Sequence, residues 1–124
     1  MARILIIDDD EEIVSILTEI LSKDGHQVES AGDPIEGMRK SRAFKPDAII
    51  LDYHMPGDTG AHLFESLRRN SGTKMIPILF LSGEAGPEQI LAEISDARNS
   101  RFLPKPVHIN EFRSVLAELL DGKD

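Results

Sequence analysis

Asp8, Asp9, Asp52, Ser82 and Lys105 are residues of the types that hold a hard cation beside an anion. The first two begin the acidic part of "ILIIDDDEEI", where four aliphatic residues run straight into five acids. Two unit charges about 4 Å apart repel by roughly 4 kcal/mol at an effective dielectric near 20. Either a cation offsets that cost or the side chains splay into water. Oxygen ligands suit Mg²⁺, which keeps several waters and takes a phosphate oxygen. Each residue also has an ordinary use. Acids at a helix N-terminus cap it and complement its dipole, which is the plainer reading of Asp10, Glu11 and Glu12. A serine after a strand is commonly a turn residue, and a lysine is commonly surface. Asp52 is harder to assign to a cap or a turn. It ends the apolar run "AIIL", and an unpaired carboxylate beside a central strand is costly.

These residues matter together only if the fold brings them together. Arg3–Ile7 reads as a buried strand. Ile13, Ile16, Leu17, Ile20 and Leu21 mark one face of a helix that ends at Asp24-Gly25. His26–Ala31 reads as a second strand. Asp33-Pro34 opens a second helix, aspartate as cap and proline in the first turn, with a thin stripe of Ile35 and Met38. Asp47–Leu51 is the third strand, and "YHMPGDTG" is loop by its proline and glycines. A helix over Ala61–Asn70 turns Leu63, Phe64 and Leu67 inward. Met75–Leu81 is the fourth strand. A helix over Pro87–Arg98 follows, through Ile90, Leu91 and Ile94. Arg101–Leu103 is the fifth strand, and the last helix carries Ile109, Phe112, Val115, Leu116, Leu119 and Leu120. Strands this apolar are buried on both faces. Right-handed crossovers then place helices on both sides of a parallel sheet. The fold class is α/β: a doubly wound, flavodoxin-like five-stranded parallel sheet in order 2-1-3-4-5, with five helices. In that order the ligand crevice lies beyond the carboxyl ends of strands 1 and 3, where all five residues converge.

Composition narrows the partners. At 124 residues the chain reads as one domain, 1–124, with a polar tail from about residue 121. With 22 acidic against 14 basic residues, a net charge of −8 disfavours sequence-independent nucleic-acid binding and anionic membranes. Cysteine is absent, which removes disulfides and thiolate chemistry. No apolar run reaches membrane-spanning length and charge interrupts the N-terminal stretch early, so a cytoplasmic protein is expected.

Taken together, "ILIIDDDEE", "DAIILDYHMPGDTG", "PILFLSGEAG" and "RFLPKPV" resemble the receiver domain of two-component response regulators, over nearly the whole chain. The resemblance implies a phosphorelay switch: a sensor histidine kinase or histidine phosphotransfer protein donates a phosphoryl group to Asp52. It implies Mg²⁺ (or Mn²⁺) held by Asp8, Asp9, Asp52 and the backbone carbonyl of His54, with Lys105 and Ser82 on the phosphoryl oxygens. Such a domain is no enzyme proper, although it assists its own phosphorylation and dephosphorylation. Ser82 and Phe102 are then the switch residues. They alter the face of the fourth helix, fifth strand and fifth helix toward a downstream protein target. Two positions depart from the usual pattern in a way that implies tuning of phosphoryl lifetime: His54, two residues after Asp52, and Glu84, two after Ser82. Phe102 stands where tyrosine is commoner, and "SDARNSRF" replaces a link usually rich in alanine and glycine. Pro104 suits an edge strand, and Lys105-Pro106 resembles a kink where a cis bond is common. No effector domain is expected within this chain, which reads either as a stand-alone regulator or as a piece of a longer protein.

Two rival readings remain. One is a receiver-fold binding module without phosphate switching. The other is a haloacid-dehalogenase-type phosphohydrolase with Asp8 as nucleophile and Asp10 as acid, Ser82 and Lys105 filling its other roles. Against the latter, Glu12 stands where that motif wants threonine or valine, no further acid pair follows Lys105, there is no cap domain, and Asp52 would be unexplained.

Overall fold

The structure is a computed structural model that describes residues 1–55, 58–83, 86–94 and 97–122. Five strands form one parallel sheet: β1 (Arg3–Ile7), β2 (Gln27–Ala31), β3 (Ala48–Asp52), β6 (Ile78–Ser82) and β7 (Ser100–Pro104), in spatial order β2-β1-β3-β6-β7. The order expected from the sequence is therefore the one found. It is interrupted in chain numbering only by a two-residue antiparallel ladder, β4 (His54–Met55) against β5 (Asp58–Thr59), inside the stretch read as loop. β7 is an edge strand, which accommodates Pro104.

Alternation along the strands sorts the core into two layers. Ile4, Ile6, Ile50, Leu79 and Leu81 point toward α1 (Glu11–Lys23) and α5 (Ile109–Asp121), meeting Leu17, Leu21, Phe112, Val115 and Leu116. Leu5, Ile7, Ile49, Leu51, Ile78 and Phe80 point toward α2 (Pro34–Ala43), α3 (Gly60–Arg69) and α4 (Pro87–Glu93), meeting Leu63, Phe64, Leu67 and Ile90. Two caps fix where helices start. The Asp10 carboxylate accepts from the Glu12 and Ile13 amides at 3.0 and 3.3 Å, and Asp33 accepts from the Glu36 amide at 2.8 Å. On the other side of the molecule Arg113 of α5 holds Asp24, at the end of α1, through two nitrogens at 2.8 and 3.2 Å.

Several expectations need correction. The helix begun at Pro87 stops at Glu93 rather than Arg98, and Ile94 turns extended yet remains buried. β6 begins at Ile78, not Met75; Met75 is exposed. Ile35 lies outward on α2, and Gly37 and Ser41 are the buried residues there. They share one face at helical spacing and let the helix backbone lie close to Ile7, which a Cβ on Gly37 would meet at 3.0 Å. Ile16, Leu91 and Ile109 are likewise half exposed.

Candidate functional site

The C-terminal ends of β1, β3, β6 and β7 open at one end of the sheet, on either side of the point where strand order reverses. Asp8, just past β1, and Asp52, ending β3, are both only 3 % exposed. Asp9 is exposed beside them. One carboxylate oxygen from each of the three lies within 4.8 Å of the others. Lys105, which follows β7, reaches across from the edge: its Nζ lies 3.2 Å from Asp8 Oδ2 and 3.4 Å from Asp52 Oδ1. Its amide donates to the Ser82 carbonyl at 2.8 Å, and the bond to Pro106 is cis. Ser82 itself is 5 % exposed at the end of β6. Asp8, Asp9, Asp52 and Lys105 thus meet in one crevice, with Ser82 joined to it through the Lys105 main chain.

Backbone groups hold the carboxylates in place. The Asp10 amide donates to Asp8 Oδ1 at 2.9 Å, and the His54 amide donates to Asp52 Oδ1 at 3.3 Å. Asp10 serves α1 as its cap, its Oδ1 accepting from the Glu12 and Ile13 amides. Asp8 Oδ2 is buried, and the charge that faces it is the lysine ammonium at 3.2 Å. A buried carboxylate oxygen is a ligand that suits a hard divalent cation, and the three-aspartate cluster could hold one.

The electrostatics follow from burial. Asp52 is pushed up from 3.8 to about 7, first by burial and then by the Asp8 charge, while Lys105 and the His54 amide pull the other way. Burial opposes the charge on Lys105, but Asp52 and Asp8 outweigh it and hold the ammonium above its ordinary value. The sign of the resulting pH dependence is fixed. Between pH 4 and 7 the folded chain holds a proton on Asp52 that the unfolded chain releases, so stability from this group falls as pH rises. In metal-free buffer Asp52→Asn is therefore expected to be more stable than the parent. Its advantage should grow from pH 4 to 7 toward something on the order of 2 kcal/mol, then level off. Urea unfolding across that range checks it; a pH-independent difference would contradict the burial argument.

The remaining candidates are placed as follows. His54 has an exposed side chain, its ring meeting the Tyr53 ring edge to face at 4.8 Å. Phe102 is half buried and stacks on Phe80 with centroids 5.6 Å apart. Glu84 lies outside the described residues. Two residues not singled out from the sequence also shape the site. The Gly60 amide donates to the Tyr53 carbonyl at 2.6 Å. A Cβ on Gly60 would come within 2.5 Å of the Asp52 carbonyl oxygen. Tyr53 is buried at 1 % exposure, and its hydroxyl donates to the Glu93 carboxylate of α4. Burial first, then Glu93, pushes the phenol up to about 12.

Residues 4–117 match the family model of the response regulator receiver domain. The chain belongs to that family. This receiver domain is 32 % identical to protein PilH of Pseudomonas aeruginosa over 123 residues, covering 98 % of this chain and all of PilH. It is 34 % identical to the DNA-binding dual master transcriptional regulator RpaA of Synechocystis, covering all of this chain but only 51 % of RpaA. Among solved structures it is similar to the chemotaxis protein CheY4 of Vibrio cholerae, with TM-score 0.84, 30 % identity, and coverage of 96 % of this chain and 98 % of that one. Receiver domains of two-component signalling are regulatory phosphoacceptors that interact with histidine kinases or phosphotransfer proteins. Among the described residues no helix is long and apolar enough to cross a membrane.

Proposed function

We propose that residues 1–124 act as one phosphorylation-dependent switch, with Asp52 as the acceptor. The observation that carries this is the placement of Asp52 Oδ1 3.4 Å from Lys105 Nζ, beside Asp8 and Asp9 at the strand-order reversal. A carboxylate oxygen of Asp52 attacks phosphorus, the N–P bond of a phosphohistidine breaks, and the imidazole leaves with the electron pair. Lys105 stands as a point charge against the phosphoryl oxygens, and the Ser82 hydroxyl serves the same oxygens. Asp8, Asp9, Asp52 and the His54 carbonyl would hold Mg²⁺, or Mn²⁺, whose charge neutralises phosphoryl oxygens during in-line attack. The new negative charge draws Ser82 inward. The ring of Phe102 follows, and the face of α4, β7 and α5 changes its preference for a protein target. His54 and Glu84 set the lifetime of the acyl phosphate by steering or blocking the hydrolytic water. The partners are a sensor histidine kinase or a histidine phosphotransfer protein in the cytoplasm, and a downstream protein rather than nucleic acid or membrane.

Intact mass after incubation with a small acyl-phosphate donor and Mg²⁺ tests the reading. One phosphoryl group should be gained, and the gain should vanish with chelator and in Asp52→Asn. No gain from any donor, histidine-phosphorylated protein included, would favour the binding module. Gain by Asp52→Asn would favour Asp8 as nucleophile. In the same assay His54→Ala and Glu84→Ala should change the decay rate of the label, and an unchanged rate in both would remove their tuning role.

A further inference from the structure

We propose that Tyr53 is a positioning residue that ties the acceptor end of β3 to helix α4, through the bond from its hydroxyl to Glu93. This deepens, and rests on, the phosphoacceptor reading of Asp52. Tyr53 follows Asp52 directly and its backbone is pinned on two sides. Its amide donates to the Leu81 carbonyl of β6 at 2.9 Å, and its carbonyl accepts from Gly60 at the start of α3. With the main chain held so, displacement of Asp52 is passed to the tyrosine ring. That ring is buried, and its hydroxyl reaches a residue 40 positions along the chain.

The receiving element is weakly held by its own sequence. α4 has seven residues, is preceded by Gly86, which supplies no side-chain cap, and gives way to extended backbone at Ile94. A helix that short does not persist on propensity, so tertiary contacts must keep it in place. Among the described residues those contacts include Ile90 and Ile94 in the core and the Tyr53–Glu93 bond. Gln89, one turn earlier, sits within reach of the same phenolic oxygen. A hydrogen bond is directional, whereas aliphatic contacts permit sliding. The tyrosine therefore selects one seat for α4 out of the several its apolar face would tolerate. Phe102 has no hydroxyl, so among the described residues it is Tyr53 that offers a polar link from the site toward α4.

Hydrogen exchange of the full chain, with phosphorylation scored by mass on the same samples, tests the link. Tyr53→Phe keeps the ring and deletes the donor; Glu93→Ala deletes the acceptor; Glu93→Gln restores an acceptor of the same length. In unphosphorylated protein, Tyr53→Phe and Glu93→Ala should raise exchange across residues 87–93 by roughly tenfold while β1 and β3 stay protected. Glu93→Gln should stay near the parent. Phosphorylation should alter exchange in α4 of the parent and leave that of Tyr53→Phe nearly unmoved, at equal phosphoryl gain. Parent-like α4 exchange in Tyr53→Phe, or an undiminished response to phosphorylation, would overturn the coupling alone. Absence of phosphoryl gain by the parent would overturn the acceptor reading, and the coupling with it.

Discussion

Gly60→Ala is expected to cost about 3 kcal/mol of folding stability, at the upper end of overpacking penalties. The added methyl would sit 2.5 Å from the Asp52 carbonyl oxygen and 2.9 Å from Tyr53 Cα. Both neighbours are main chain, so neither can swing aside as a long side chain would. Relief requires α3 to back away from the end of β3, which loses the Gly60 amide to Tyr53 carbonyl bond. The displaced segment carries Asp52, so phosphoryl gain should fall as well, even under conditions where the variant is fully folded. Gly32→Ala is the matched control: a Cβ there meets nothing within 4 Å, and surface changes of that kind stay within about 0.5 kcal/mol. Urea unfolding of the three proteins decides the matter. A Gly60→Ala midpoint equal to the parent's would mean the close approach is not part of the fold.

Lys105→Met should be the other large effect. The ammonium stands between two carboxylates that are almost fully buried. Breaking a buried pair by removing one partner typically costs about 3–5 kcal/mol, because the charge left behind has no partner. The lysine is 20 % exposed, so the loss here is expected nearer about 2–3 kcal/mol at pH 8. It should shrink toward pH 5, where Asp52, already raised to about 7, becomes neutral and needs no counter-charge. Mg²⁺ should restore part of the stability at pH 8, since a cation among Asp8, Asp9 and Asp52 replaces the missing charge. Equal losses at pH 5 and 8, with no response to Mg²⁺, would show that Lys105 contributes packing rather than charge.

Much of this fold and of its crevice is legible in the amino-acid sequence. β1, β3 and β6 each carry an unbroken apolar run of four residues, and such runs occur where a strand is covered on both faces; the order of elements then leaves few topologies. The five site residues stand out because each ends or follows an apolar strand run. What fails to show has a physical cause in each case. Ile94 repeats four residues after Ile90 and is buried, so the helical stripe carries on past the point where the backbone leaves the helix. β6 starts late because Met75 and Ile76, though apolar, precede Pro77, and the ladder closes only from there. α2 buries Gly37 and Ser41, a close-packing face that hydrophobic periodicity cannot register. The Gly60 contact and the Tyr53–Glu93 bond join residues by approach through space, and no spacing rule in the sequence encodes them.

Chemical localisation of the phosphoryl group tests the central claim most directly. The phosphorylated chain would be reduced with borohydride, which converts an acyl phosphate to the alcohol, and then digested and mapped by mass. Conversion of residue 52 to homoserine, in the Mg²⁺ sample and not in the chelated one, is the expected result. Conversion at residue 8 or 9 with residue 52 intact would contradict the assignment of Asp52 as the acceptor.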